Sequence, residues 1–154
     1  RCRHRADRAL RDLLVGRLVH RLFQLGVPDD HRLHERAKGL AIPEEGVSAG
    51  EADSVVDTAI GAWRTMRARP DVVALLESGR THYEVPFSLH DPESATILRG
   101  TIDCLVQRPD GSVTVVEFKT GARRTIHERQ LSIYVHAAAA LFPSSRVEGL
   151  LIYP

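Results

Sequence analysis

Lysine is scarce in this chain of 154 residues. Of its 21 basic residues only Lys38 and Lys119 are lysines, and all the others are arginines. A lysine that lies beside chemically reactive residues therefore stands out from the background composition. The formal net charge is only +1, so the total charge by itself does not indicate a polyanionic partner.

Cysteine is also scarce. Cys2 and Cys104 are isolated from each other, and the sequence has no C-x-x-C pair. A structural zinc site or an iron–sulfur cluster needs more thiolate or histidine ligands at close spacing. We therefore expect no iron–sulfur cluster, and a reducing, cytoplasmic setting.

Three further absences narrow the possible classes of protein. The sequence has no run of about 18 apolar residues and no apolar signal segment at its N-terminus. It also lacks the phosphate-binding motif G-x-x-x-x-G-K-[ST], so ATP would act only through a motor domain outside this chain. The length is typical of one domain, and the missing initiator methionine suggests a fragment of a longer protein.

The first half of the sequence is predicted to be helical. A first helix spans residues 6–25 and ends at Gly26-Val27-Pro28. Asp29 and Asp30 are expected to cap a short helix that runs to Lys38. The stripe that the first helix would bury consists of leucines spaced mainly four apart: Leu10, Leu14, Leu18, Leu22 and Leu25.

Two more helices are predicted before the period of the sequence changes. Ser48 and Glu51 form a capping-box pattern at the start of a helix that ends before Pro70. A further short helix spans residues 71–77.

The second half alternates with the period of β-strands. Residues 81–89 alternate strictly, and this pattern places Glu84 on the more polar face of a half-buried strand. Residues 91–94 are expected to turn the chain into a second strand over residues 95–107. Pro109-Asp110-Gly111 is a hairpin turn that leads into a third strand over residues 112–119.

The remainder continues as a helix and a strand. The helix spans residues 125–141 and the strand residues 146–153, where Leu150-Leu151-Ile152 predicts burial on both faces. The order of the elements predicts an α/β fold, with a central mixed sheet flanked by helices and an N-terminal helical segment.

The third strand carries the residues with the clearest chemical potential. Its period of two places Glu117 and Lys119 on one face. Antiparallel pairing through the hairpin turn brings Asp103 close to Glu117. Two neighbouring carboxylates repel unless a proton or a cation intervenes, and Mg²⁺ is the default cation for such oxygen ligands. The alternative is a salt bridge at the strand end, from either carboxylate to Lys119.

Five short motifs occur along the chain in a fixed order. The sequence resembles the RecB-type branch of the PD-(D/E)xK nuclease superfamily, and within it the C-terminal nuclease domain of AddA-type helicase–nucleases. The motifs that carry the resemblance are Gly16 with His20, Tyr83-Glu84-Val85-Pro86-Phe87, Gly100-Thr101-Ile102-Asp103, Glu117-Phe118-Lys119-Thr120-Gly121, and Gln130 with Tyr134.

The resemblance implies a restriction-endonuclease-like core and specific residue roles. His20, Asp103, Glu117 and the carbonyl of Phe118 match metal ligands for Mg²⁺ or Mn²⁺. Lys119 matches the lysine that orients a water molecule and stabilises charge on the phosphate. The remaining matches are a carboxylate near the metal, Glu84, and a supporting or DNA-binding pair, Gln130 and Tyr134.

The resemblance also implies a biological context. A single nuclease domain would span residues 1–154, with a helical part over 1–79 and a catalytic sheet core over 80–154. It would cut single-stranded or unwound DNA at broken ends, with a helicase motor in the same polypeptide and an AddB-like partner subunit, and with no membrane partner. The relatives mostly carry aspartate where this chain has Glu117.

Alternative interpretations remain. One is a stand-alone endonuclease of the same superfamily, and another is a degenerate module that only binds or steers DNA. An unrelated α/β interaction domain is the third.

Overall fold

The computed structural model describes residues 2–41, 49–91 and 95–154. These residues divide into two compact units. The helical unit contains the described residues up to Ala68, together with Lys119–Gly121 and Pro154. The sheet unit contains Arg69–Phe118 and Ala122–Tyr153. The predicted capping residue Ser48 and the predicted turn residues 92–94 lie outside the described part of the chain.

The helical unit contains α1 (Cys2–Gln24), α2 (Leu33–Leu40) and α3 (Ala49–Arg67). The predicted leucine stripe of α1 is wrong at its ends, because Leu10 and Leu25 are 39% and 52% exposed. A strict spacing of four residues rotates by about 40° at each step around a helix, so it leaves the buried face. The buried face instead combines spacings of three and four: Val15, Leu18, Val19, Leu22 and Phe23.

The predicted cap of α2 is also corrected. The N-cap residue is Arg32, whose side chain makes no capping hydrogen bond. Asp30 Oδ1 accepts hydrogen bonds from the Arg32 N–H at 2.9 Å and from Arg36 Nη1 at 2.8 Å. Asp29 instead pairs with Arg64 of α3 at 2.6 Å. The aspartates therefore anchor the loop before α2 to its neighbours and do not start the helix themselves.

The sheet unit is a four-stranded mixed sheet with two helices. Its strands lie in the order β1-β2-β3-β4; β3 and β4 are parallel, and the other neighbours are antiparallel. The predicted α/β class and mixed sheet are confirmed, as expected for a restriction-endonuclease-like core. The elements are α4 (Pro70–Glu77), β1 (Arg80–Asp91), β2 (Thr96–Gln107), β3 (Val113–Phe118), α5 (Thr125–Leu141) and β4 (Val147–Ile152).

The division between the units differs from the one expected from the sequence. The boundary lies between Ala68 and Arg69, so that α4 belongs to the sheet unit and packs near β1. The prediction of one nuclease domain over residues 1–154 remains a prediction. Among the described residues, no helix has the length and apolar content needed to cross a membrane.

The expected burial of the apolar run of β4 on both faces is confirmed only in part, because Leu150 and Leu151 are half-buried and Ile152 is buried. Glu148 and Gly149 are exposed, and only Ile152 of this strand is buried. The reason is that β4 lies last in the strand order of the described sheet. β3, which lies between β2 and β4, is buried along its entire length.

The core of the sheet unit shows where regular strand alternation breaks. Ile102 and Leu105 of β2 belong to one apolar cluster together with Ala137 and Ala138 of α5. In a regular strand an even and an odd position lie on opposite faces, so the alternation must change between them. Glu84 of β1 lies opposite this point, and the β1–β2 pairing is not formed there. The strict alternation predicted for residues 81–89 is therefore wrong at Glu84.

Gly100 permits the close packing of two aromatic rings beside this core. Phe87 and Tyr134 meet edge to face, with ring centroids 5.4 Å apart. A Cβ atom on Gly100 would lie 2.8 Å from Phe87 and 3.2 Å from Tyr134. We therefore expect Gly100→Ala to lower the free energy of unfolding by about 2 kcal/mol, through overpacking. Urea denaturation of the variant and the parent chain measures the difference.

Gly61 offers a matched control for that substitution. It lies exposed within α3, and a Cβ there would meet nothing within 4 Å. Gly61→Ala should raise stability by roughly 0.5–1 kcal/mol, because alanine favours a helix. Equal effects of the two substitutions would contradict the packing argument.

Candidate active site

The β2–β3 hairpin positions two carboxylates opposite each other. Its turn follows the predicted sequence, with Gly111 at a φ of 85° and the Asp110 carboxylate accepting the Ser112 N–H at 2.9 Å. The strand pairing ends with Cys104 opposite Val116. The next position in this register places Asp103 opposite Glu117, as counting from the turn predicted.

Side-chain oxygens replace the backbone pairing at that position. The Phe118 N–H donates to Asp103 Oδ2 at 2.8 Å, and the Asp103 N–H donates to Glu117 Oε1 at 3.4 Å. Glu117 is fully buried, and Asp103 is 9% exposed. The predicted proximity of the two residues is confirmed. Two buried carboxylates this close are costly to the fold unless other groups compensate their charge.

Glu84 brings a third carboxylate to Asp103 from the other neighbouring strand. Its φ of 52° lies in the left-handed region, which costs a non-glycine residue roughly 1–2 kcal/mol. Carboxylate oxygens of Glu84 and Asp103 lie within 4.8 Å of each other. Strain of this kind is concentrated at functional sites. The carboxylate oxygens of Glu84 and Asp103 are donors of the kind that a hard divalent cation such as Mg²⁺ or Mn²⁺ prefers.

Two predicted site residues belong to the helical unit. His20 is half-buried in α1, and Lys119 is half-buried directly after the last residue of β3. A Cβ atom on Gly16 would lie 3.6 Å from Thr120 Oγ1, an ordinary contact. The described neighbours therefore do not require glycine at this position. The roles of His20 and Lys119, and that of the Phe118 carbonyl, remain predictions.

Gln130 and Tyr134 are four residues apart and contact each other on α5. Gln130 Nε2 donates to the Tyr134 hydroxyl at 2.9 Å. Tyr134 also packs against Phe87 of β1. Through the contact of Tyr134 with Phe87, the pair helps to pack α5 on the sheet. A direct role toward DNA remains a prediction.

Sequence reasoning missed a cluster around Tyr153. The Tyr153 hydroxyl lies 2.9 Å from His127 Nδ1, and the Arg123 guanidinium lies 5.0 Å from the centre of the tyrosine ring. The backbone carbonyl of Tyr153 accepts a hydrogen bond from Arg69 Nη1 at 3.0 Å. The available signal was the Arg123-Arg124 pair, which follows the Glu117–Gly121 motif directly along the chain.

Cys104 is buried in β2, next to Asp103. Burial, with a smaller effect of the Asp103 charge, raises the pKa of the Cys104 thiol to about 12. Burial likewise raises the pKa of Tyr83, which pairs with Cys104 across the strands, to about 12. A protonated thiol is a poor nucleophile and a poor metal ligand. The buried, protonated Cys104 is therefore unsuited to either role.

The raised pKa of Cys104 predicts a loss of stability at alkaline pH. An unfolded thiol ionises near pH 9, whereas the folded thiol resists ionisation up to about pH 12. The stabilisation is complete below pH 9 and is lost as the pH rises toward 12, by roughly 4 kcal/mol. Urea denaturation between pH 8 and pH 12 measures this slope. Cys104→Ala should flatten it, and an unchanged slope would contradict the assignment.

Comparison with known proteins gives one result that covers nearly the whole chain. A family model described as the PD-(D/E)XK nuclease superfamily matches residues 1–153. No individual curated protein matches the chain significantly. The matched range includes the β2–β3 hairpin with Asp103 and Glu117, and Glu84 of β1. The chain belongs to the PD-(D/E)XK nuclease superfamily.

Proposed function

We propose that the chain is a Mg²⁺- or Mn²⁺-dependent nuclease domain that hydrolyses phosphodiester bonds of single-stranded DNA. The observation that carries this proposal is the buried pair of Asp103 and Glu117 at the end of the β2–β3 hairpin. Membership of a nuclease superfamily supplies the class of reaction. The preference for single-stranded DNA rests on the resemblance of the motifs alone.

Each residue of the site then has a defined task. Asp103 and Glu117 would bind the cation, and Glu84, whose carboxylate lies within 4.8 Å of that of Asp103, would be a further oxygen donor. His20 and the Phe118 carbonyl complete the ligands, on the strength of the sequence motifs. When bound, the cation acidifies a water molecule and shields the charge of the scissile phosphate. By its motif, Lys119 would orient a water molecule and stabilise negative charge on the phosphate.

The proposed context is a larger DNA-processing enzyme. The order of the motifs supports an AddA-type helicase–nuclease, in which a motor domain and an AddB-like partner subunit deliver unwound DNA from broken ends. The near-neutral net charge fits this context, because the motor domain and the partner subunit would supply most of the contacts that bind DNA.

Binding of the cation should stabilise the chain before any DNA is added. At a concentration 100 times the dissociation constant, Mg²⁺ or Mn²⁺ should add about 2.7 kcal/mol to the free energy of unfolding. Thermal denaturation with increasing MnCl₂ measures this gain as a rise in melting temperature. Asp103→Asn should remove most of the gain, because it replaces a charged ligand with a neutral amide.

The same variants test the proposed reaction. The chain is incubated with end-labelled single-stranded and duplex DNA, with MgCl₂ or with EDTA. Mg²⁺-dependent cleavage that prefers the single strand supports the proposal. A Mn²⁺ gain equal in the parent chain and in Asp103→Asn would contradict the assigned cation site, and absence of cleavage on every DNA would contradict the activity.

A further inference from the structure

The Tyr153 cluster lies at the same end of the β-strands as the carboxylates Asp103 and Glu117. β3 and β4 are parallel, with Phe118 opposite Ile152, so the C-terminal ends of both strands lie side by side. The Phe118 N–H is bound to the Asp103 carboxylate, and Tyr153 directly follows Ile152. Neighbouring strands are about 4.8 Å apart. Tyr153 therefore leaves the sheet one strand away from the proposed reaction site.

Arg123 is held over the ring of Tyr153 in an exposed position. Its guanidinium lies 5.0 Å from the ring centroid, and its residue is exposed. The ring beneath it is itself fixed, by His127 at the hydroxyl and by Arg69 at the backbone carbonyl. Tyr153 is 7% exposed, so it supports the arginine and does not offer its own surface to a base.

The positive charge of Arg123 is not neutralised by an ion pair with any residue whose side chain the structure describes, namely residues 8–41, 50–90 and 95–154. Arg69, the other arginine of the cluster, is paired with Asp71 at 2.6 Å. Stacking on an aromatic ring uses the face of a guanidinium and leaves the N–H groups at its rim able to donate. A planar, fixed donor of this kind fits the two oxygens of a phosphate.

We propose that Arg123 binds a backbone phosphate of the DNA strand next to the phosphate that is cut. The inference rests on the proposed nuclease function and adds a residue that positions the substrate. Because the stacked side chain is already ordered, binding costs less conformational entropy than with a mobile arginine. A contact to phosphate carries no information about the bases, so Arg123 holds the strand independently of its sequence.

The salt dependence of DNA binding tests this contact. Binding of a labelled oligothymidylate to the full chain is measured by fluorescence anisotropy in EDTA, over a series of KCl concentrations. Each phosphate contact to a single strand contributes about 0.7 to the slope of log K against log salt. Arg123→Ala should lower the slope by about that amount and weaken binding roughly tenfold. Arg123→Lys should keep the slope, because the charge remains.

Arg146 provides a matched control at the opposite end of the β-strands. It precedes β4, its side chain is 84% exposed, and it lies 3.9 Å from Glu148. Arg146→Ala should leave both the affinity and the slope unchanged. Equal effects of Arg123→Ala and Arg146→Ala in a chain that binds and cuts DNA would overturn the inference and leave the nuclease proposal standing. Failure of the parent chain to bind or cut any DNA would overturn both.

Discussion

Asp103→Asn is expected to lower the rate of Mg²⁺-dependent DNA cleavage by about 10³-fold, equivalent to about 4 kcal/mol in the activation barrier. Asp103 meets Glu117 from one neighbouring strand and Glu84 from the other. Asp103 is therefore the residue that lies close to both glutamates. Loss of its charge weakens cation binding and removes part of the stabilisation of the transition state.

The substitution is chosen so that a loss of rate reports chemistry and not unfolding. An asparagine keeps the shape of the side chain and one carbonyl oxygen, which still accepts the hydrogen bond of the Phe118 N–H. Urea denaturation without metal should therefore give nearly the parent stability. Cleavage is measured under single-turnover conditions, so that the rate reports the chemical step.

Asp110→Asn is the matched control in the same hairpin. Asp110 lies exposed at the turn and bonds Ser112, far along both strands from Asp103. Its replacement should leave the cleavage rate within about twofold, because Asp110 lies at the exposed turn, at the other end of the paired strands from Asp103. Similar rates in the two variants would refute the role of Asp103.

The sequence predicted the centre of the candidate site because the hairpin turn is local. Pro109-Asp110-Gly111 identifies the turn, and a tight turn determines the register of the strands that it joins. Counting outward from the turn then places Asp103 opposite Glu117. α5 was predicted with its observed bounds, because its alanine-rich stretch has high intrinsic helix propensity.

Features set by tertiary contacts were not predictable in the same way. The break in alternation at Glu84 depends on its left-handed φ, which no period in the sequence encodes. The exposure of β4 depends on its place in the strand order, although its apolar run is typical of a central strand. The role of Asp29 was also mispredicted. Asp29 forms an ion pair with Arg64, which is distant in the sequence, so no local pattern indicates this contact.

Lys119→Met is expected to lower the cleavage rate by about 10²- to 10³-fold, the usual cost of removing one group that stabilises transition-state charge. Methionine retains most of the length and apolar volume of lysine but carries no charge. Lys119 follows Phe118, whose N–H is bound to Asp103. Lys119 therefore follows Glu117 by two positions along the chain.

The response to Mn²⁺ separates the role of Lys119 from that of the carboxylates. Lys119→Met should keep the rise in melting temperature with Mn²⁺, because lysine is not a ligand, whereas Asp103→Asn should lose both the rise and the rate. A strand-end salt bridge predicts the opposite result, with lower stability in Lys119→Met and no specific effect on chemistry.

Lys38, the only other lysine of the sequence, provides the control. It is exposed and paired with Asp53 of α3, so Lys38→Met should cut DNA at the parent rate. A loss confined to Lys119 would show that the scarce residue type has a chemical role at this position.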